Sequence, residues 1–203
     1  RGNIEIINEY HNIAVIGSRK CSLKGRKISY DTGKYLAEKN VNVVNGLALG
    51  CDAEALKGAL AAGGKCAVVL PCGINEIYPK SNQWIAEEVL KQGGCLISEY
   101  PEGTRPEKYR FVQRDRLQSG MSQGVLVVEA MEKSGTMHTA EYAKKQNRRL
   151  ACYYHGLLKY STGNNVLENL YQAAVIKTNE DLENYLCEIA DIEEYTQLSF
   201  DFV

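Results

Sequence analysis

Several patterns that define common protein classes are missing from this sequence. No apolar run reaches the roughly 20 residues that a transmembrane helix needs, and residues 1–11 lack the pattern of a signal peptide. The seven cysteines include no Cys-x-x-Cys pair, and the three histidines are isolated from one another. We therefore expect a cytoplasmic protein with reduced cysteines, without a membrane span, disulfides or a bound metal.

Basic residues are also missing from the end of the chain. After Lys177 there is no Lys or Arg, although eight acidic residues remain. The first 177 residues carry 24 basic and 17 acidic residues, so the net charge of −1 hides a body with a charge of +7. A basic body permits an anionic ligand. We predict a single domain over residues 1–190, followed by an acidic tail or linker over 191–203.

The nucleotide and hydrolase motifs with the strongest signatures are absent as well. There is no Walker A loop, no GxGxxG, no Gly-x-Ser-x-Gly elbow and no HExxH. The sequence therefore offers no catalytic residue by motif, and we expect neither an enzyme nor a cofactor.

Short apolar runs that alternate with helical patterns are what the sequence does contain. The predicted strands are 12–16, 41–44, 66–70, 95–98, 125–129, 149–153 and 174–177. The predicted helices are 24–38, 51–62, one capped by Ser81 and ending at Gln92, 111–123, 136–146, 164–170 and 180–189. This alternation predicts an α/β protein, an extended Rossmann-like three-layer sandwich with a mostly parallel sheet and helices on both faces.

Candidate binding residues follow the strands, because open parallel sheets bind ligands beyond the carboxyl ends of their strands. Glycines let the backbone approach an anion, hydroxyls and helix N-termini donate hydrogen bonds, and an arginine grips a phosphate with two parallel bonds. The phosphate-type candidates are Gly17, Ser18, Arg19, Lys20, Gly46, Leu47, Ala48, Gly50, Ser134, Gly135 and Thr136.

A third kind of segment combines an aromatic ring with arginines. Phe111, Arg114 and Arg116 lie in a stretch that is rich in basic residues. Arginines bind phosphates and a ring stacks on a base, which suits single-stranded nucleic acid. A structural role stays open for each loop: ordinary turns and helix caps, Asp52 as a cap, Phe111 in the core, and Asp115 paired with a neighbouring arginine.

Taken together, these segments resemble the DprA/Smf family. The matching stretches are IAVIGSRK (13–20), VVNGLALGCD (43–52), AVVLPCGINEIYP (67–79), LISEYPEGTRP (96–106), FVQRDRLQSGMSQGVLVVEA (111–130) and SGTMHTAEYA (134–143). The resemblance implies a protein that binds single-stranded DNA without catalysis, forms homodimers and helps to load RecA. It also implies that residues 17–19 and 134–136 hold phosphates, and that Phe111, Arg114 and Arg116 line the DNA groove.

The sequence departs from the pattern of that family at several positions. Leu49 stands where the family usually has a basic residue. The family motif FPxRNR, often with lysine at x, reads FVQRDR here, so Gln113 is neutral at x and Asp115 replaces the asparagine. A less basic groove predicts weaker DNA binding with a flatter salt dependence. Residues 154–156 also replace a usual Val-Pro-Gly, and the helical and winged-helix domains of many members are not in this sequence.

Two alternatives to DNA binding follow from the same loops. One is a SLOG-type domain that binds a small nucleotide or a nucleotide-derived signal. The other is a phosphoribohydrolase of the LOG type, whose motif places a catalytic glutamate where this chain has Thr139. Glu141 lies two residues further on, about 200° around the helix, which disfavours the enzyme.

Overall fold

A seven-stranded parallel sheet forms the centre of the protein in a computed structural model that describes residues 1–198, with side chains described up to residue 190. The strands are β1 Asn12–Ile16, β2 Asn42–Asn45, β3 Cys66–Val69, β4 Cys95–Ile97, β5 Gly124–Val127, β6 Arg149–Tyr153 and β7 Ala174–Ile176. Their order is β4-β3-β2-β1-β5-β6-β7, and every neighbouring pair is parallel.

The helices are α1 Ile6–Glu9, α2 Leu23–Glu38, α3 Cys51–Ala61, α4 Gln83–Lys91, α5 Lys108–Gly120, α6 Gly135–Lys145, α7 Thr162–Tyr171 and α8 Asn179–Leu198. Short 3-10 helices cover Lys80–Asn82 and His155–Leu157. Helices α2, α3, α4 and α8 pack on one face of the sheet, and α1, α5, α6 and α7 on the other. The predicted Rossmann-like three-layer sandwich is confirmed.

Complete burial of the central strand explains its unbroken apolar sequence. All five residues of β1 are buried, because α2 and α3 cover one face of the sheet and α6 and α7 the other. β1 pairs with β2 on one side and with β5 on the other, so Ile13 lies opposite both Val43 and Gly124. The strand order reverses between β1 and β5, which makes this pair the topological switch point of the sheet.

Several boundaries shift by one or more residues from the sequence prediction, and three helix ends illustrate the differences. Ser81 is not the cap of α4, because it lies inside the 3-10 turn that runs directly into this helix. Helix α5 begins at Lys108 rather than Phe111, since a charged first turn precedes its apolar positions. The sequence prediction ended the last helix at Ile189, but α8 continues to Leu198. The predicted tail boundary stays a prediction, and residues 199–203 of that tail lie outside the described residues.

Helix α1 has no counterpart among the predicted elements. It is a single turn that packs Ile6 into a small cluster with Val44 and Val69 on the sheet. A single turn is too short to produce a helical period in the sequence. No helix among residues 1–198 is both long and apolar enough to cross a membrane.

Candidate nucleic-acid interface

A cavity of about 1010 Å³ opens at the carboxyl ends of β1 and β5, at the switch point of the sheet. Its walls are the loop after β1, the loop between β5 and α6, and one face of α5. The lining residues are Ile16, Gly17, Ser18, Arg19, Lys20, Ala48, Asp52, Tyr78, Lys108, Phe111, Val112, Arg114, Asp115, Gln118, Met131, Lys133, Ser134, Gly135, Thr136, His138, Thr139 and Tyr160. Most of the sequence-predicted residues therefore lie around one space.

The loop after β1 presents a cation at the mouth of this cavity. The Ser18 N–H donates to the Glu129 carbonyl oxygen at 2.7 Å, and the Ser18 hydroxyl accepts from the Lys20 N–H at 3.1 Å. The Arg19 guanidinium lies 4.9 Å from the centre of the Phe111 ring. A cation over an aromatic face is attracted to it, so this contact positions the arginine beside the ring.

The loop between β5 and α6 supplies a helix N-terminus on the opposite wall. Ser134 precedes α6, but its hydroxyl donates to the Met131 carbonyl oxygen at 2.6 Å and does not cap the helix. The first N–H groups of α6, from Gly135 and Thr136, are therefore not occupied by this side chain. Such groups, together with the helix dipole, favour a bound anion.

Helix α5 lines the cavity along a single stripe. Phe111, Arg114, Asp115 and Gln118 are three, four and seven residues apart, which places them on the same face of the helix. Phe111 is half-buried at the rim, where its ring meets the edge of Tyr78 with 5.6 Å between centres. The structural interpretation of Phe111 as a core residue does not hold.

Arg114 is the buried member of this stripe. Its side chain is only 4% exposed, and Nη1 donates to the Val69 carbonyl oxygen at 2.8 Å. Burial lowers the pKa of Arg114, while the neighbouring carboxylates of Asp115 and Asp52 act in the opposite direction. The guanidinium thus ties α5 to the end of β3 and contributes its charge from beneath the cavity surface.

Two carboxylates surround that buried guanidinium. Asp52 accepts from the Gly46 and Ala48 N–H groups at 3.2 and 3.4 Å, so it braces the loop before α3. The expected helix cap is wrong, because Asp52 lies inside the first turn and Gly50 stands at the N-cap without a side-chain cap bond. Burial raises the pKa of Asp52, although Arg114 opposes the shift. Asp115 lies 3.4 Å from Arg114 Nε, and burial raises the pKa of Asp115 to about 6. Asp115 therefore pairs with its neighbouring arginine and also lines the cavity.

The loop after β2 supports the cavity more than it lines it. Ala48 reaches the surface of the cavity, whereas Gly46, Leu47 and Gly50 do not. A Cβ atom on Gly46 would lie 1.3 Å from Arg114 Nη1, so this glycine makes room for the guanidinium. Leu47 is fully buried with a φ of 59°, a left-handed conformation that is strained for leucine.

Arg116 does not reach the cavity, which corrects its predicted place in the groove. Its guanidinium projects from another face of α5 and contacts both carboxylate oxygens of Glu99 at 2.5 and 2.6 Å. Arg116 is two residues from Arg114, and two helical residues face directions about 200° apart. Closeness in the sequence therefore suggested one shared site for both arginines, whereas the helical period separates them.

A buried carboxylate holds two of the walls together. Glu129 is fully buried after β5, and it accepts hydrogen bonds from the Ser22 N–H at 2.7 Å and from the Tyr160 N–H at 2.8 Å. The first bond fixes the segment that follows Arg19, and the second fixes the segment before α7. The sequence did not predict Glu129 or Tyr160 as site residues, because neither belongs to a recognisable binding motif.

Other lining residues were also missed. Lys108 and Lys133 flank predicted segments, and their charge alone could have identified them. Gln118, His138 and Thr139 face the cavity from α5 and α6. Their helical phase relative to Arg114 and Thr136 carries the signal. Glu141 is half-exposed, 3.9 Å from His138 and outside the cavity lining, as its position in the helix predicted.

Metal-binding clusters are not found in the described part of the chain, where no three His, Cys, Asp or Glu residues are placed to hold an ion. The six cysteines between Cys21 and Cys152 are buried as free thiols. Burial raises the pKa of the Cys66 and Cys152 thiols to about 12. These thiols are therefore neutral core side chains.

The pattern of glycine loops, aromatic ring and buried arginine matches a known family. A family model described as DNA recombination-mediator protein A matches residues 1–186. This chain belongs to the DprA/Smf family. Protein Smf of Escherichia coli is 39% identical over 73% of this chain, and the match spans 40% of that protein. DNA processing protein DprA of Bacillus subtilis is 33% identical over 74% of this chain, spanning 50% of that protein.

Solved structures of the family have the same fold. DNA processing protein A from Helicobacter pylori, in a structure on its single-stranded DNA binding mode, is 29% identical with a TM-score of 0.84. That match covers 92% of this chain and 85% of the H. pylori chain. The chain spans about half or less of the length of the curated DprA/Smf relatives above.

Proposed function

We propose that this protein binds single-stranded DNA at the switch-point cavity, without catalysing a reaction on it. The observation that carries the proposal is the contact between the Arg19 guanidinium and the Phe111 ring at the mouth of the cavity. Two phosphate-type loops, residues 17–20 and 134–136, line the same cavity. A ring that stacks on bases beside groups that bind phosphates is the usual composition of a single-strand site. The H. pylori relative described by its single-stranded DNA binding mode supports the same function.

Lys20, Lys108 and Lys133 extend the positive charge around the mouth of the cavity. They surround the phosphate-type loops, whereas the carboxylates of Asp52 and Asp115 lie deeper, beside Arg114. A strand laid across the mouth would meet cations first. The buried carboxylates weaken the field without reversing its sign at the rim, so we expect binding that depends strongly on ionic strength.

Fluorescence anisotropy with a labelled oligo-dT of about 16 nucleotides tests this function. Arg19→Ala should weaken binding at least about tenfold, since hydrogen bonds to charged groups contribute about 1.5–3 kcal/mol. Lys34→Ala is the matched control, because Lys34 is an exposed cation on α2, away from the cavity lining, that pairs with Glu38 3.7 Å away. Absence of binding by the wild-type protein at low salt would contradict the proposal.

A small nucleotide is the second candidate ligand, favoured by the carboxylates beneath the cavity. A ligand that binds only the folded protein raises its melting temperature, so a panel of nucleotides screened by thermal shift tests this candidate. No shift across the panel, together with tight binding of oligo-dT, would exclude it.

Assembly and partners belong to the same proposal. We extend the proposal to a cytoplasmic homodimer that acts with RecA, as the resemblance to the DprA/Smf family implies. The family description as a DNA recombination mediator supports the role in recombination. Light scattering after size-exclusion chromatography measures the oligomeric state. Capture of RecA by immobilised protein, with and without bound oligo-dT, measures the interaction; a monomer that does not retain RecA would contradict both parts.

A further inference from the structure

Polar side chains form the deep end of the cavity, between α5 and α6. Asp115, Gln118 and Thr139 line it, and they are only 8%, 2% and 2% exposed. Buried polar groups cost free energy unless they are hydrogen-bonded, so polar groups at the bottom of a cavity indicate a polar ligand. DNA phosphates do not explain this end, because a carboxylate repels them.

Hydrogen bonding at this deep end is incomplete. Gln118 Nε2 donates to Asp115 Oδ1 at 2.9 Å, and Arg114 Nε lies 3.4 Å from the same oxygen. Among the described residues no hydrogen bond reaches Asp115 Oδ2, and Gln118 Oε1 is buried without a partner. Asp115 Oδ2 is therefore a free acceptor at this end of the cavity, whereas the buried Gln118 orients the Asp115 carboxylate through Nε2. Asp52 differs from Asp115, because its Oδ2 already accepts two backbone N–H groups.

We propose that Asp115, oriented by Gln118, binds the edge of a guanine base, which makes Asp115 a specificity-determining residue. Guanine presents two adjacent donors, N1–H and the N2 amino group, and a carboxylate accepts both. Thymine has one N–H between two carbonyls, while adenine and cytosine place an acceptor nitrogen beside their amino group. A carboxylate repels those acceptors, so the deep end discriminates against the other three bases.

The distances along α5 suit a nucleotide that enters from the rim. Phe111 lies one helical turn above Asp115, and Gln118 lies about one turn below it. A phosphate at the Arg19 or Ser134 side of the mouth leaves the base to point inward along this stripe. The inference rests on the proposed function for the phosphate contacts. The guanine itself could belong to a DNA strand or to a free nucleotide, since both offer the same edge.

Anisotropy with three oligonucleotides tests the proposal: oligo-dT, oligo-dT with one central dG, and the same oligomer with deoxyinosine at that place. A base contact made by two hydrogen bonds discriminates about five- to 150-fold. We expect the dG oligomer to bind more tightly by a factor in this range. Deoxyinosine lacks the N2 amino group, so it should fall between dG and dT.

Asp115→Asn is the decisive variant, because the amide keeps the shape of the side chain and can still contact Gln118. The ratio of dG to dT affinity should fall to about one, even if binding of oligo-dT itself becomes tighter. Glu38→Gln makes the same change of charge on an exposed residue of α2 that pairs with Lys34, and it should leave the ratio intact. Equal affinities for dG and dT in the wild-type protein, or a ratio that survives Asp115→Asn, overturn the proposal.

Free nucleotides separate this inference from the DNA-binding function. Thermal shift with dGMP and dTMP measures the base preference without a strand. If oligo-dT fails to bind but dGMP stabilises the wild-type protein and not Asp115→Asn, the guanine site stands and the ligand is a free nucleotide. If oligo-dT binds and neither a dG oligomer nor dGMP is preferred, the DNA site stands and the guanine site is refuted.

Discussion

Burial gives Asp115 an unusual influence on stability. Burial raises its pKa from 3.8 to about 6, mainly by desolvation and despite the attraction of Arg114. Asp52, His138 and Arg19 also face it, the first raising and the other two lowering the pKa. Because the folded protein holds the proton more tightly, the free energy of unfolding falls as the pH rises from about 4 to about 6. Above about pH 6 the loss of unfolding free energy from ionising Asp115 no longer increases.

Asp115→Asn should therefore stabilise the protein more at neutral pH than in acid. The shift of about two pKa units corresponds to about 3 kcal/mol at pH 7.5, and about half of that remains at pH 5. We expect the difference in unfolding free energy between variant and wild type to shrink by about 1.5 kcal/mol over this interval. Urea denaturation at the two pH values measures it. A difference independent of pH would contradict the ionisation of Asp115 in the folded protein.

Gly46 is the residue on which the position of Arg114 depends. A methyl group at Gly46 would overlap the guanidinium of Arg114, so the guanidinium would have to leave its buried position, where Nη1 donates to the Val69 carbonyl oxygen. Displacing Arg114 would leave Asp52 and Asp115 without their counter-charge. Removing one partner from a buried charge pair costs about 3–5 kcal/mol.

Gly46→Ala should accordingly lower the melting temperature by roughly 6–20 °C, at about 2–4 °C per kcal/mol for a chain of this size. Gly135→Ala is the matched control, because a Cβ atom there meets nothing within 4 Å. Differential scanning calorimetry compares the two variants. Equal melting temperatures would mean that the guanidinium relocates at little cost.

Individual residues show what the sequence could and could not predict. The glycine loops were predictable, because a glycine directly after an apolar run marks the turn that ends a buried strand. The opposite directions of Arg114 and Arg116 were also available from the helix period. The free acceptor of Asp115 was not, because it depends on how α5 packs against α6, and that packing has no local signal.

At the level of the elements, Glu129 connects two loops that are far apart in the sequence. Its carboxylate is bound by the N–H groups of Ser22 and Tyr160, which precede α2 and α7. Each N–H left unsatisfied by its removal costs about 1–3 kcal/mol. Because the side chain is fully buried and lies outside the cavity lining, its effect on a ligand passes through the loops.

Glu129→Ala should increase amide hydrogen exchange in residues 18–22 and 158–161, and it should weaken oligo-dT binding through a less ordered loop. Glu132→Ala is the control, since Glu132 is an exposed residue three positions away whose backbone N–H, and not its side chain, is bonded to Thr162. Exchange measured by mass spectrometry distinguishes the loops from the rest of the protein. Uniformly faster exchange would indicate global destabilisation instead.

The elements themselves were predictable to different degrees. Buried strands such as β1 were found because complete burial leaves an unbroken apolar run. The start of α5 was missed because its first turn, Lys108–Arg110, has no apolar position, and α1 was missed because one turn has no period. Long elements with two buried faces leave the clearest pattern, and short charged turns leave none.

For the whole molecule, the charge around the cavity determines how binding responds to salt. Two neutral residues lie outside the cavity lining but at its edge of the sheet: Leu49 is 46% exposed on the loop after β2, and Gln113 is exposed on α5, where it accepts from the Tyr100 hydroxyl at 2.9 Å. The resemblance to the DprA/Smf family implies basic residues at both positions. Each additional phosphate contact on a single strand steepens the slope of log affinity against log salt by about 0.7.

The double variant Leu49→Arg, Gln113→Lys should therefore bind oligo-dT more tightly at low salt, with a slope that is steeper by up to about 1.4. Glu9→Gln, Glu38→Gln changes the net charge by the same amount, but both residues lie near the starts of β1 and β2, at the opposite edge of the sheet. Since exposed charges separated by more than about 10 Å are largely screened at 0.1 M salt, this control should leave the slope unchanged. Anisotropy titrations across a salt series compare the two. If both variants steepened the slope equally, binding would depend on the net charge of the protein and not on where the added cations lie. That result would contradict DNA binding at the edge of the sheet that carries the phosphate-type loops.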